Sequence, residues 1–279
     1  MGKDFKEENI PYIDVEKVIA GKSKKLLKRL PKFIISYLKK IIHQDEINEN
    51  LSRVKDLYGL DFVEEILYYF KVNIETVGFE SIPSNGRFIF ASNHPLGGFD
   101  GLVFMHTISR WNRNVKSISN DILMNLKNLR PVLIGVNKHG SNTREDVKTF
   151  TKFLEGDDPI MIFPAGLVSR KQKGVIRDLP WKKSFISMAV KYKRDVIPVH
   201  INGRNSNFFY NLARLRKFLR IKSNLEMLYL PDETFKQKNK NIKIIFGNPI
   251  SYTFFDNSKK PKEWAKWVKA RVYALPEEN

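Results

Sequence analysis

The spacing of hydrophobic residues changes near residue 75, and the change predicts two kinds of local structure. Before it, apolar residues recur every three or four positions, a period typical of amphipathic helices. We therefore predict helices over residues 15–21, 24–43 and 45–70.

After residue 75, short apolar runs alternate with helical patterns. The predicted strands are residues 74–79, 87–92, 115–119, 132–136, 159–163, 195–201 and 242–247. The predicted helices are residues 100–111, 121–127, 142–155, 181–193, 207–219 and 261–274. This alternation predicts an α/β fold, with a mostly parallel central sheet flanked by helices and preceded by an N-terminal helical segment. We place the division into two parts at residues 1–74 and 75–279.

The segment 22–43, KSKKLLKRLPKFIISYLKKIIH, carries eight Lys or Arg residues and no acid. Its apolar residues share one helical face, and Pro31 is expected to break or bend the helix. A basic amphipathic helix of this kind suits an anionic membrane surface. The alternative is a packed helix with a solvated basic face, and the pattern alone leaves both open. We interpret residues 1–74 as a membrane-docking segment.

Composition narrows the function classes. The chain has 279 residues, of which 42% are hydrophobic, so a substantial core is expected. It has no cysteine, which excludes disulfides and thiol nucleophiles. The net charge of +19 predicts an anionic partner, either nucleic acid or a membrane surface. We find no secretory signal and no run of 18 apolar residues, so no membrane-spanning segment is predicted.

The segment 88–101, FIFASNHPLGGFDG, joins an apolar strand to a helix through a glycine-containing turn. His94 and Asp100 are six residues apart, so the glycines must fold the chain back to bring them together. Such a pair predicts a general-base dyad, in which Asp100 orients the imidazole and neutral His94 takes a proton from a hydroxyl. The alternative is that Asp100 only caps the helix and His94 is an ordinary turn residue.

Three further segments belong with this turn. LIGVNK (133–138) and FPAGLVSR (163–170) stand at predicted strand ends, and VIPV (196–199) follows a predicted amphipathic helix and leads into residues 200–204. Together with the His–Asp turn, and in this order, they resemble the motif blocks of the glycerolipid acyltransferase superfamily over roughly residues 75–255. The resemblance implies acyl transfer from an acyl-carrier-protein or coenzyme A thioester to a lipid hydroxyl. It implies no metal and no bound cofactor.

Carried over by position, the resemblance makes His94 the base and Asp100 its orienting partner. The residues then expected to contact substrate are Asn93, Gly97, Gly98, Lys138, Pro164, Gly166, Ser169 and Arg170. Backbone amides around Gly97, Gly98 and Gly166 are candidate donors to the oxyanion of the tetrahedral intermediate.

The chain also departs from the superfamily pattern. Five residues rather than four separate His94 from Asp100, beside a double glycine. Ala165 stands where the family has a Glu, and Leu167 and Val168 replace its Thr and Arg. The family's Glu and Arg help to bind a glycerol-phosphate headgroup, so their absence weakens the case for lysophosphatidate as acceptor.

Other segments, including IIHQDEIN (41–48) and LRIKSNLEMLYLPDE (219–233), resemble the bacterial hemolysin-like branch, which includes enzymes that complete amino-acid lipids. This resemblance implies a lyso-amino-acid lipid as acceptor, of the glycine or ornithine type. The alternatives are lysophospholipid acylation and a non-catalytic lipid-binding relative. A nucleic-acid-binding protein is disfavoured, because such binding does not need the His–Asp turn.

Basic residues cluster in segments 22–40 and 204–222, both amphipathic and both outside the strand-end turns. We expect them to hold the enzyme peripherally on the cytoplasmic face of the inner membrane and to meet acidic acyl carrier protein. Arg170 and Lys138 are the basic residues expected to face the substrate.

Overall fold

The structure is a computed structural model that describes residues 12–119, 124, 126–135 and 144–278. Its strands are β1 (Asn73–Val77), β2 (Phe88–Ser92), β3 (Lys116–Ser119), β4 (Leu133–Gly135), β5 (Ile160–Ile162), β6 (Arg170–Gln172), β7 (Val175–Arg177), β8 (Asp195–Ile201) and β9 (Asn241–Phe246). Its helices are α1 (Val15–Lys22), α2 (Lys24–Arg29), α3 (Lys32–Ile42), α4 (Gln44–Arg53), α5 (Gly59–Phe70), α6 (Gly98–Ser109), α7 (Arg144–Glu155), α8 (Ser184–Tyr192), α9 (Asn207–Phe218), α10 (Leu230–Phe235) and α11 (Pro261–Glu278).

Within these residues, seven strands form a central sheet in the order β1-β9-β8-β2-β5-β3-β4. The strands from β8 to β4 in this order are parallel to one another. The strand direction reverses once in the sheet, where β8 pairs antiparallel with β9. The edge strand β1 then pairs parallel with β9. The mostly parallel sheet flanked by helices is thus confirmed. β6 and β7 form a separate antiparallel hairpin.

Strand β2 lies at the centre of the sheet, and all five of its residues are buried. Its side chains alternate between the two faces, as the strand geometry requires. Phe88 and Phe90 belong to the hydrophobic cluster that includes α5 and α6. Ile89 and Ala91 belong to the cluster formed with α8 and α11. The sheet therefore has a helical layer on each face, and β2 carries its following turn out of a rigid core.

The predicted strands agree with the structure within a few residues, whereas one long helix prediction is wrong. Residues 45–70 form two helices, because the chain leaves helical geometry after Arg53 and restarts at Gly59, whose φ is +60°. The side-chain amide of Asn128 donates to the carbonyls of Val54 and Leu57, which satisfies backbone groups that the break would leave unpaired. The predicted break at Pro31 is present between α2 and α3. Most of the predicted helix 121–127 lies outside the described residues.

The N-terminal helices pack on the rest of the chain. A single hydrophobic cluster contains Phe62 and Phe70 of α5 together with Phe99 and Phe104 of α6, so packing is continuous across residue 74. The hydroxyl of Tyr37 on α3 lies 2.8 Å from that of Tyr229, just before α10. None of the helices in the described part of the chain is both long and apolar enough to cross a bilayer.

Candidate active site

The turn that carries His94 is held to the neighbouring strand by Asn93. The buried Asn93 amide donates to the carbonyl of Ile201 at 2.9 Å and accepts from its backbone N–H at 2.7 Å. This pair of bonds joins the end of β2 to the end of β8. Asn93 was predicted to contact substrate, but its amide makes these two bonds to Ile201. The bonds place His94 at the carboxyl ends of the parallel strands, where α/β sheets bind their ligands.

The turn at Gly97 brings the side chain of Asp100 back to His94. Gly97 has φ +82°, a conformation that favours glycine, and it precedes the first turn of α6. One carboxylate oxygen of Asp100, Oδ2, lies 3.0 Å from His94 Nδ1 and accepts from the amides of Leu96 and Gly97 at 2.7 and 3.0 Å. The five residues between His94 and Asp100 therefore bring the pair into direct contact.

Burial governs the electrostatics of Asp100, which has no solvent-exposed surface. Removal from water raises the pKa of the Asp100 carboxyl, whereas the bonds from His94 and the two amides lower it. Oδ1 has no hydrogen-bond partner among the described residues. The ionised carboxylate therefore depends on Oδ2 and its three donors. Since the carboxylate accepts from Nδ1, the neutral imidazole has Nε2 free to accept a proton.

The His94 ring packs against Phe163 and borders a pocket of about 260 Å³. The two ring centroids are 4.2 Å apart with the planes at 22°, a stacked arrangement that restricts the imidazole. The pocket is lined by His94, Gly97, Gly98, Gly101, Leu102, Met105, Ser117, Ile118, Ser119, Leu129, Leu133, Met161, Phe163, Gly166, Leu167, Val168, Met227 and Leu230. Most of these residues are apolar, so the imidazole stands at the edge of a site suited to a hydrocarbon chain.

The backbone of His94 is positioned by Asp178, a residue that sequence reasoning missed. The buried Asp178 carboxylate accepts from the His94 amide at 3.2 Å, from Ser169 Oγ at 2.6 Å and from Trp181 Nε1 at 2.8 Å. Its own amide donates to the hydroxyl of Tyr273. The one available signal was that Asp178 is the sole acid among six Lys and Arg residues in segment 170–183.

The other predicted residues occupy different positions. Gly97, Gly98 and Gly166 line the His94 pocket. Pro164 is buried and its carbonyl accepts the amide of Lys182, and the hydroxyl of Ser169 is bound to Asp178. Lys138 lies outside the described residues.

Arg170, expected to face the substrate, is directed into the protein. Its guanidinium donates to Glu226 at 3.0 Å and to the carbonyl of Val168 at 2.7 Å, and it lies over the ring of Phe209. Burial lowers the pKa of Arg170, and Glu226 opposes that shift. Arg216 donates to the same buried carboxylate at 2.8 Å. This arrangement joins the β6–β7 hairpin to α9 through Glu226.

The candidate oxyanion donors differ in availability. The amide of Gly97 is bound to Asp100, and that of Gly166 is bound to the carbonyl of Phe163 at 3.0 Å. The amide of Gly98, the first residue of α6, donates no hydrogen bond to any acceptor among the described residues. Helix N-termini favour negative charge, so Gly98 is the best placed of the three to receive an oxyanion.

Lys182 is a second residue that sequence reasoning missed. A Cβ atom built on Gly166 would lie 3.3 Å from Lys182 Nζ, which places this ammonium group beside the His94 pocket. Nζ has no hydrogen bond or ion pair among the residues described, and the side chain is exposed. It can therefore receive an anionic group of a substrate. Within the described residues, no cluster of three His, Asp or Glu side chains could hold a metal ion.

The chain is similar to known acyltransferases. A family profile described as Acyltransferase matches residues 17–278. The chain is 47% identical over 270 residues to a lyso-glycine lipid O-acyltransferase of Bacteroides thetaiotaomicron, covering 96% of this chain and 99% of that protein. It is 44% identical to a lyso-glycine lipid O-acyltransferase of Phocaeicola vulgatus, covering 96% and 97%.

The fold also resembles a solved structure. The crystal structure of the 1-acyl-sn-glycerophosphate acyltransferase PlsC from Thermotoga maritima aligns with a TM-score of 0.51 over 88% of each chain, at 18% sequence identity. At this level of identity the similarity establishes the architecture alone. It agrees with the predicted sheet flanked by helices and the N-terminal helices.

Proposed function

The chain belongs to the acyltransferase family and is an O-acyltransferase, and from this premise we propose that its acceptor is a lyso-glycine lipid. The observation that carries the proposal is the similarity, along nearly the whole chain, to two relatives bearing that name. The enzyme would transfer a fatty acyl group from a thioester, on acyl carrier protein or coenzyme A, to the hydroxyl of the lyso-lipid.

The His94–Asp100 pair supports a direct-transfer mechanism. Neutral His94 takes the proton of the acceptor hydroxyl at Nε2, while its Nδ1–H donates to Asp100. The hydroxyl oxygen attacks the thioester carbonyl and forms a tetrahedral intermediate. When the carbon–sulfur bond breaks, the imidazolium returns the proton to the departing thiolate. Asp100 stabilises the imidazolium between these steps, and no covalent acyl-enzyme is required.

The negative charge of the tetrahedral intermediate needs a hydrogen-bond donor. The amide of Gly98 suits this role because it lies at the N-terminus of α6, lines the His94 pocket and has no other acceptor among the described residues. The amide of Gly97 does not have this role, because it donates to the Asp100 carboxylate.

The lining of the pocket favours an acceptor without a phosphate. Leu167 and Val168 border the pocket, and Ala165 is buried, so these three positions offer no charged side chain to a headgroup. Lys182 is placed to receive a single carboxylate at the pocket rim. A glycine headgroup carries one such carboxylate.

Exposed apolar and basic residues support docking on an anionic membrane. Phe33 on α3 is 70% exposed and Phe218 on α9 is 82% exposed, although both are large apolar side chains. Contacts between Tyr37, Tyr229 and Phe208 join these two helices in space. We call this joint surface, formed by α2, α3, α9 and segment 219–229, the docking face. Its Lys and Arg residues would meet lipid phosphates on the cytoplasmic side of the inner membrane.

The test is acyl transfer by the purified enzyme to lyso-glycine lipid, lyso-ornithine lipid and lysophosphatidate, with acyl carrier protein or coenzyme A thioesters as donors. We expect the largest kcat/KM with lyso-glycine lipid, and a loss of at least about 100-fold in His94→Ala. His106→Ala, which changes a histidine outside the pocket lining, is the matched control. Preference for lysophosphatidate would contradict the proposed acceptor, and near wild-type turnover by His94→Ala would contradict the mechanism.

A further inference from the structure

A second cavity lies between the N-terminal helices and the active-site helix. Its volume is about 410 Å³. It is bounded by α4, α5, the start of α6 and α10. Its lining residues are Ile13, Ile47, Asn50, Leu51, Phe62, Ile66, Tyr69, Phe70, Gly98, Phe99, Leu102, Leu126, Leu129, Leu230, Pro231, Thr234 and Phe235.

The chemistry of this lining suits a hydrocarbon chain. None of these residues carries a charge. Two of the polar side chains already make hydrogen bonds to Glu46. Asn50 donates to its backbone carbonyl, and the hydroxyl of Tyr69 donates to its side-chain carboxylate. Several lining residues, including Ile47 and Ile66, are large apolar side chains that remain only partly buried. An apolar guest would remove this surface from water.

The second cavity adjoins the His94 pocket. Gly98, Leu102, Leu129 and Leu230 line both. Gly98, and Gly101 one turn along α6, have nothing within 4 Å of the position that a Cβ would occupy. Neither glycine has a positive φ, and glycine weakens a helix relative to alanine. Packing and backbone geometry therefore do not require these glycines. Their missing side chains leave open space beside the His94 pocket, and at Gly98 this space lies where the two cavities adjoin.

We propose that this cavity binds the hydrocarbon chain of the lyso-lipid acceptor, while the His94 pocket receives the acyl chain of the donor. The proposal rests on the proposed function, in which an acyl chain is added to a lipid that already has one. The two chains must leave the reaction centre in different directions, because the acceptor oxygen and the thioester carbonyl carbon become bonded at His94. Two apolar cavities that both border Gly98 satisfy this requirement.

Both cavities border the docking face, since Leu230 lines the two of them and Met227 of segment 225–229 lines the His94 pocket. Leu230 and Pro231 line the second cavity and directly follow segment 225–229, where Leu225 and Leu228 are exposed. A lyso-lipid enters from a membrane, whereas a thioester donor arrives from water with its carrier. The acceptor chain would thus have a path from the lipid phase, past segment 225–229, into this cavity.

The experiment fills the cavity from two sides with Ile66→Trp on α5 and Thr234→Trp on α10. Tyr68→Trp is the matched control, because Tyr68 lies on the same helix as Ile66 but is 77% exposed. The KM for the acceptor is measured as its chain is shortened stepwise, and separately as the donor chain is shortened. We expect each filled variant to raise KM at least tenfold for the long-chain acceptor, the loss expected when two methylenes remain in water. KM for the shortest acceptor and the dependence on donor chain length should stay unchanged.

Two kinetic outcomes would overturn the proposal. One is an unchanged KM for the acceptor in both filled variants. The other is that the filled variants change the dependence on donor chain length and not the dependence on acceptor chain length. The chain-length series is run on whichever of the three lyso-lipids the enzyme acylates, so a wrong headgroup assignment affects only the proposed function. Binding of lyso-glycine lipid to wild type, Ile66→Trp and Tyr68→Trp is also measured by calorimetry, without donor. Binding weakened tenfold only in Ile66→Trp supports the proposal even if no acceptor is turned over, and equal binding contradicts it. Circular dichroism and thermal unfolding identify any variant that fails to fold, and Thr234→Trp then provides the test.

Discussion

Asp100→Asn removes the charge that is proposed to stabilise the His94 imidazolium, while keeping the shape of the side chain. If the amide oxygen takes the place of Oδ2, it can still accept from His94 Nδ1 and from the amides of Leu96 and Gly97. The amide nitrogen then takes the place of Oδ1, which has no partner among the described residues. The folded turn is therefore preserved better than in Asp100→Ala, which leaves both amides unpaired.

The size of the effect follows from these contacts. A hydrogen bond to a charged group contributes about 1.5–3 kcal/mol. Since about 1.4 kcal/mol corresponds to a factor of ten, losing the charge opposite the imidazolium should lower kcat by about 10- to 150-fold. The buried, unpaired amide nitrogen should also lower the free energy of unfolding by about 1–3 kcal/mol.

The assay is steady-state acyl transfer followed by mass spectrometry of the lipid product, together with urea unfolding of the same preparations. We expect Asp100→Asn to lower kcat with little change in acceptor KM, because Asp100 contacts the base and not the substrate. Wild-type kcat in a folded Asp100→Asn protein would refute the orienting role of Asp100. A loss confined to KM would refute it too.

Three further predictions concern other parts of the molecule. Glu226→Ala should lower the free energy of unfolding by about 3–5 kcal/mol in urea titrations, because it leaves the buried Arg170 and the partly buried Arg216 without a counter-charge. Glu64→Ala, which removes one partner of an exposed pair, should cost less than about 1 kcal/mol, and equal losses would contradict this reasoning. Burial lowers the pKa of His200 to about 4, so the unfolded chain binds a proton between about pH 6.5 and 4 that the folded protein does not. His200→Phe should therefore reduce the stability lost between pH 7 and 5 by about 2 kcal/mol, and an unchanged pH dependence of urea unfolding would argue against a buried neutral imidazole. Lys182→Met should raise the KM for lyso-glycine lipid about tenfold but leave that of its uncharged carboxamide analogue unchanged, and Lys183→Met serves as the neighbouring control; equal effects of both variants would exclude a carboxylate contact.

Local sequence was sufficient to predict the His94–Asp100 pair. The two residues lie on one turn, and the conformational freedom of Gly97 permits the contact that the motif resemblance implies. The strand positions were also predictable, since a buried strand such as β2 is an uninterrupted apolar run bounded by polar residues. Each of these features depends on residues close together in the chain.

Contacts between distant residues escaped sequence reasoning. Asp178 holds the backbone of His94 across 84 residues, and Glu226 binds Arg170 across 56. The break between α4 and α5 depends on Asn128, which supplies hydrogen bonds to carbonyls that a continuous helix would have used itself. A helical period in residues 45–70 carries no information about that partner.

The sequence by itself determined the alternation of strands and helices, the motif turns and the basic amphipathic segments, because periodicity, turn residues and charge are local properties. Only the tertiary structure decided how they are used. It directed Arg170 to Glu226, brought Lys182 to the rim of the His94 pocket, and formed a second apolar cavity where α5 and α10 meet the start of α6. The physical reason is that burial, charge pairing and cavities depend on which surfaces face each other, and those surfaces come from residues far apart in the chain.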